Sequence, residues 1–187
     1  MTGASPGPPT IFTIGHGTRD IKEFLSLLRG AGVRLLVDVR SFPGSRRYPQ
    51  FGKDALAASL ESMGITYEWK KELGGFRKPR RGSRHTALAS AGFRGYADNM
   101  ETDEFRAARD WLIRASTETT TAVMCAESLW WKCHRRMLAD ALVAAGCGVR
   151  HIMTGGKIDE HRLHPAARAE DGLPVYDVSP RQGQLIE

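Results

Sequence analysis

No stretch of the chain reaches the roughly 18 consecutive apolar residues that a membrane-spanning helix needs, so no span is predicted. The opening MTGASPGPPT has neither the basic start nor the apolar core of a secretory signal, and residues 1–10 are expected to form a short disordered leader. Cysteine is scarce. Three residues, an odd number, argue against a disulfide framework and suit a cytoplasmic, reducing setting. Acidic residues are the minority charge, 21 Asp and Glu against 27 Lys and Arg, leaving +6 with histidine neutral. That excess fits an anionic partner, whether a nucleic acid, a nucleotide or another phosphate, and no membrane is implied. There is no internal repeat, and 187 residues with 41% apolar content suit one domain with a real core.

What is present is an alternation of apolar runs and helical periodicity. Ile11 to Ile14 read as a buried strand closed by Gly15-His16-Gly17. Asp20 and Glu23 then make a capping pair for a helix carrying Ile21, Phe24, Leu25 and Leu28 and ended by Gly32. Val33, Leu35, Leu36, Val37 and Val39 form a second strand, broken by Phe42-Pro43-Gly44. Leu56, Leu60 and Met63 mark a second helix and Ile65 to Trp69 a third strand. Residues 70–95 are rich in glycine and basic residues with little periodicity, a long loop of the kind that is often functional. Thr102 caps a helix with Phe105, Ala108, Trp111, Leu112 and Ala115 on one face. TTTAVMCAE is a fourth strand, HRRMLADALVAAG a helix and GVRHIM a fifth strand. Residues 153–187 are expected to form a small appendage with a hairpin around Asp171-Gly172, Pro174 confining its second arm to an edge. The expected fold is therefore a single α/β domain over 11–187. Its sheet is mainly parallel, with about five strands and helices on both faces in a Rossmann-like arrangement.

In such sheets ligands bind beyond the carboxyl ends of the strands. That rule gathers His16, Asp38, Arg40, Cys125 and Glu127 on one rim. CAESLWWKCHRR, residues 125–136, is the densest stretch. Cys133 sits where a helix begins, beside free backbone N–H groups and arginines that lower a thiol pKa, and is a candidate nucleophile. Cys125 reads as a small buried apolar residue. Cysteines eight apart miss the close spacing of structural zinc sites, so no metal ligand is assigned. Arg135 and Arg136 suit phosphate, although consecutive helix positions cannot both face one ligand. His16, between glycines, is suited to proton transfer. Asp38 shares a strand face with Arg40 and is a general base, a metal ligand or the structural partner that orients Arg40. Arg46, Arg47 and Tyr48 form a basic-aromatic patch. Arg77, Lys78, Arg80, Arg81 and Arg84 read as a solvated, mobile run able to track phosphates. His161 and His164 have no evident partner and are expected at the surface.

Six segments in order, TIGHG, LLVDVRSFPGSRRYPQF, LGGFRKP, GFRGYADNM, MCAES with WKCHRRMLADAL, and EHRLHPAAR, resemble the bacterial and archaeal family known as domain of unknown function 488. The likeness runs from about Ile11 to Tyr176. It implies a compact cytoplasmic α/β domain, and its motifs fall on His16, Asp38, Arg40, Arg46, Arg47, Tyr96, Glu127, Cys133, His134 and Arg135. The chain differs from the family's pattern at Gly17, where serine is commoner, and in the extra basic residues near Arg80. The short DVR is also similar to rhodaneses, but no persulfide-bearing cysteine follows Asp38 in a loop.

The expected function is an enzyme acting on a phosphate-containing substrate, a nucleotide or nucleic acid. His16, Asp38, Glu127 and Cys133 are the catalytic candidates, and Arg40, Arg46, Arg47, Tyr96, His134 and Arg135 the binding ones. The alternatives are a non-catalytic nucleic-acid-binding module and a metal- or redox-responsive protein using Cys133. The sequence names neither a cofactor nor an oligomeric state.

Overall fold

The computed structural model describes residues 7–178. Of the expected leader, residues 1–6 lie outside that range. The rest is shorter than expected, because the Pro9 carbonyl already accepts from the Gly148 N–H and Thr10 opens the first strand. Residues 179–187 of the expected appendage also lie outside the described range.

Eight strands and five α-helices follow in order among the described residues: β1 (Thr10–Gly15), α1 (Ile21–Gly30), β2 (Leu35–Asp38), α2 (Lys53–Glu61), β3 (Thr66–Trp69), α3 (Ala91–Met100), α4 (Asp103–Glu118), β4 (Thr121–Cys125), α5 (Arg135–Ala144), β5 (Gly148–Ile152), β6 (Ile158–Glu160), β7 (Ala167–Glu170) and β8 (Leu173–Tyr176). Local chemistry explains several boundaries. The Asp20 carboxylate accepts from the Glu23 N–H at 2.8 Å and starts α1. Thr102 does the same for α4 through Phe105 N–H. Gly32, at φ +68°, takes the left-handed conformation just past the C-cap of α1.

The main sheet has the order β3-β2-β4-β1-β5-β6. Its first five strands are parallel, and β6 pairs antiparallel with β5. Both faces are covered, as the unbroken apolar runs require. Ile14, Leu36, Ala122 and Met124 pack with residues of α1 and α2 on one face. Ile11, Val37, Val123 and Cys125 pack with α3, α4 and α5 on the other. Relative to the 3-2-1-4-5-6 order of a dinucleotide-binding sheet, the two central strands are exchanged, and this departs from the Rossmann-like expectation.

Three further expectations are corrected. The basic segment 70–95 is not one long loop, because α3 begins at Ala91, capped by Ser90. The part before it is fastened down. Tyr96 Oη donates to Leu73 O at 2.8 Å, Arg80 N–H to Asp98 at 2.7 Å and Arg77 Nε to Asn99 at 3.0 Å. The C-terminal stretch is built into the domain rather than appended. β6 extends the main sheet, while the hairpin β7–β8 packs on α5 and places Leu173 and Tyr176 in the core.

Candidate active site

β4 lies between β2 and β1, so the carboxyl ends of three adjacent strands meet at one rim. At the end of β2, the Asp38 carboxylate is fully buried and every bond it makes is to a fixed donor. Oδ1 accepts from Arg40 N–H at 3.0 Å and Arg40 Nε at 2.9 Å; Oδ2 accepts from Arg40 Nη2 at 2.6 Å and Tyr67 Oη at 2.7 Å. Burial works against the Arg40 charge, yet the bonds to Asp38 hold its pKa above the ordinary value. Burial and the Asp38 charge push the Tyr67 phenol up, so it remains a donor. Nη1 of Arg40 has no partner among the described residues, and Arg40 lines a cavity of about 790 Å³ at this rim.

Cys125 ends β4 and Cys133 precedes the first turn of α5. Their sulfurs are 3.4 Å apart. Cys125 is buried and burial pushes its thiol well up, so it keeps its proton. Cys133 is half-buried and lines the cavity. The bond from Cys125 is the largest of the influences that hold its thiol down, at about 6, with the Arg135 charge and N–H acting in the same direction. His134 also lines the cavity. Its Nε2 donates to Val39 O at 3.2 Å, and burial holds the imidazole at about 4, hence neutral at pH 7.

Phe42, Phe76, Phe93 and Tyr96 give the cavity apolar walls. The Phe42 and Phe76 rings are 76% and 90% exposed, with centroids 6.4 Å apart, and Phe76 holds the unusual φ of +59°. Exposed Lys78 and Lys132 line the same cavity, and neither makes an ion pair among the described residues. Lys132 was not foreseen, and its signal is only visible once α5 is oriented.

His16 lines an adjoining recess of about 310 Å³ that shares Arg40, Phe42, Ala126 and Glu127 with the larger cavity. The structure thus brings His16, Arg40 and Glu127 together. His16 Nδ1 donates to Gly17 O at 3.0 Å, and the ring stacks on Phe51 at 4.4 Å. A carbonyl only accepts, so the neutral ring carries its lone pair on Nε2, which is buried without a partner among the described residues. Burial, the largest influence, lowers its pKa to about 4. Glu127 is exposed on the rim, its Oε1 accepting from Ser128 N–H at 3.1 Å.

Other expected binding residues are placed differently. Arg46 and Arg47 are exposed on the loop after β2, Arg47 over the Tyr48 ring at 5.5 Å, and line neither cavity. The Arg135 guanidinium points inward. Nη2 donates to Glu127 O at 2.5 Å and Ser128 O at 3.1 Å, so it supports the rim loop rather than facing a ligand. Arg136 sits over Phe93 at 4.8 Å. Tyr96 lines the cavity with its hydroxyl turned to Leu73 O. Arg80 and Arg84 are ion-paired with Glu101, and Arg84 also with Glu170, so this run is clamped rather than mobile.

Against the surface expectation, His161 is buried in a chain of hydrogen bonds. Thr13 Oγ1 meets His151 Nδ1 at 2.7 Å, His151 Nε2 meets His161 Nδ1 at 3.0 Å, and His161 Nε2 meets Asp140 at 2.9 Å. Tyr176 Oη donates to the other Asp140 oxygen at 2.7 Å, and His164 N–H donates to Asp140 at 2.9 Å. Trp130 stacks on His151 at 4.1 Å. Elsewhere, ligand atoms of His85, Asp98 and Glu101 come within 4.8 Å of one another. Tyr176 N–H donates to His85 Nδ1, which leaves the proton of the neutral ring on Nε2, facing Glu101. With the arginines already on Glu101, this is a salt-bridge cluster and not a ready cation site.

Residues 20–142, well over half of the chain, match the family described as domain of unknown function DUF488, and the chain belongs to it. The matched span includes the Asp38–Arg40 pair and both rim cysteines, while His16 and the HRLHPAAR segment lie outside it. No curated protein and no solved structure matches the chain.

Proposed function

We propose that this member of the DUF488 family is an enzyme acting on a phosphate-bearing substrate, a nucleotide in class, held in the 790 Å³ cavity at the carboxyl edge of the sheet. The observation that carries the reading is Cys133, a cavity-lining thiol held at about 6 and therefore thiolate at neutral pH. The thiolate is the nucleophilic form of cysteine. Lys78, Lys132 and the unpartnered Nη1 of Arg40 suit the phosphate, and the aromatic walls suit a base. In this scheme the Cys133 thiolate attacks phosphorus; an S–P bond forms, the bond to the leaving-group oxygen breaks and that oxygen takes a proton from the rim. Water then attacks the phosphorus, giving its proton to the lone pair on Nε2 of His16, and the S–P bond breaks to release phosphate and restore the thiolate. Glu127 serves as the exposed acid or base on the rim. Asp38 and Arg135 position: one fixes Arg40, the other the loop that carries Glu127.

Calorimetry with a panel of nucleoside mono-, di- and triphosphates tests this. Binding is expected to weaken at least about tenfold in the double variant Lys78→Ala/Lys132→Ala, the loss of about 1.4 kcal/mol. Turnover should disappear in Cys133→Ser with binding kept. Absence of binding across the panel, or turnover unchanged in Cys133→Ser, overturns it.

A second reading is favoured by one observation. Arg46 and Arg47 stand exposed beside Tyr48, and the Phe42 and Phe76 rings are open to solvent, an arrangement suited to stacking single-stranded bases. A nucleic-acid-binding module of this kind should lose affinity for long polymers steeply as salt rises and show no turnover.

A further inference from the structure

We infer that Cys125 and Cys133 are a dithiol–disulfide redox pair whose oxidant is a hydroperoxide, with Cys133 the attacking residue and Cys125 the resolving one. The sulfurs, 3.4 Å apart, are in contact and need close only to the ~2.0 Å of a disulfide bond. Backbone groups hold them facing each other. Glu127 N–H donates to Cys125 Sγ at 3.3 Å, and Arg135 N–H to Cys133 Sγ at 3.4 Å. Their environments divide the two tasks. Both cysteines line the open cavity that a peroxide can enter, but Cys133 is half-buried whereas Cys125 is only 2% exposed and lies behind it, so the Cys133 sulfur is the one within reach. The lowered pKa of Cys133 and the raised pKa of Cys125 agree with that division. Cys147, the third cysteine, is buried ahead of β5 and bonds to neither sulfur, which makes it an internal control.

The chemistry balances without further components. The Cys133 thiolate attacks the terminal peroxide oxygen. An S–O bond forms, the O–O bond breaks and the alkoxide or hydroxide leaves, taking a proton from water. Cys133 is then a sulfenic acid. The Cys125 thiol attacks that sulfur, an S–S bond forms, and the hydroxyl departs as water with the Cys125 proton. The peroxide gains two electrons and each sulfur gives one. A small dithiol restores the pair by exchange. This needs only the two sulfurs and stands without the substrate reading. One consequence does rest on that reading: oxidation removes the nucleophile and silences turnover.

The test uses the full reduced chain, treated with one equivalent of hydrogen peroxide, denatured in iodoacetamide and mapped by mass spectrometry. Before treatment three cysteines are alkylated. Afterwards only Cys147 should be, with a peptide pair joining Cys125 to Cys133. Cys125→Ser should stop at the sulfenic acid and yield a dimedone adduct on Cys133. Three alkylated thiols after peroxide, a sulfinic acid on Cys133 beside an alkylated Cys125, or a bridge involving Cys147 or a second chain overturns the inference. The wild-type map decides the matter even if the variant does not fold. Nucleotide binding by the reduced protein is measured on the same samples. A failed substrate reading then shows as absent binding with the disulfide formed, and a failed redox reading as the reverse.

Discussion

A proton held unevenly between two sulfurs sets the chemistry at the scale of single residues. Cys125 keeps it and donates; Cys133 is relieved of it. Alkylation of Cys133 in the native protein should therefore follow a titration with its midpoint near 6, against about 8.5 for a free thiol. In Cys125→Ala the principal cause is gone and the midpoint should rise. A midpoint that stays put would assign the effect to Arg135 alone. Cys133 was legible in the sequence because a helix start and adjacent arginines are local features. Its partner was not. The burial of Cys125 was foreseen correctly, but sulfur contact across eight residues depends on how β4 and α5 meet. Arg135 shows the opposite limit. Its position on α5 suggested an anion, yet the guanidinium is itself buried and donates to the carbonyls of Glu127 and Ser128 in the rim loop, which turns the side chain inward.

Among the elements, those with strong periodicity were all readable, including both side-chain N-caps named in advance, Asp20 and Thr102. α3 was not, because Gly92 and Gly95 dilute its helical signal. The structure shows why glycine is there: a Cβ on residue 95 would overlap the Arg77 carbonyl in the strap that crosses the helix. Two effects compete in Gly95→Ala. Helix propensity favours alanine by about 1 kcal/mol, while forcing atoms into a filled site costs about 1–3 kcal/mol. The overlap is with backbone, which cannot swing aside, so net destabilisation is expected as a lower urea midpoint. A rise would mean the strap is loosely held. Thr102→Ala should cost about 1 kcal/mol by the same measurement. β6 escaped notice for another reason: three residues are too few to display an alternation.

For the whole molecule, the alternating elements predicted a two-faced, mainly parallel sheet, and the order of its strands remained hidden, because periodicity carries no information about which neighbours pair. Burial has a global cost that only the assembled fold reveals. His16, His134 and His151 are held neutral inside, at about 4, 4 and 3, with burial the leading cause in each. In the unfolded chain each would protonate near 6.5. Below that pH the unfolded state binds more protons than the folded one, so stability falls as pH falls, until the folded values are reached. The melting temperature should thus decline steadily from about pH 6.5 toward 4. A level profile over that interval would mean these rings are charged or solvated in the native state. The decline should be shallower in His134→Gln.

The place of β4 also bears on how the protein is made. As the ribosome delivers the chain, β2 and β3 can zip together early, but β1 has no strand to join until residues 121–125 emerge, since its two neighbours are β4 and β5. The first hundred or so residues are therefore a nascent segment with an unmatched apolar edge, and a single late insertion both unites the two halves and creates the rim that holds the cavity.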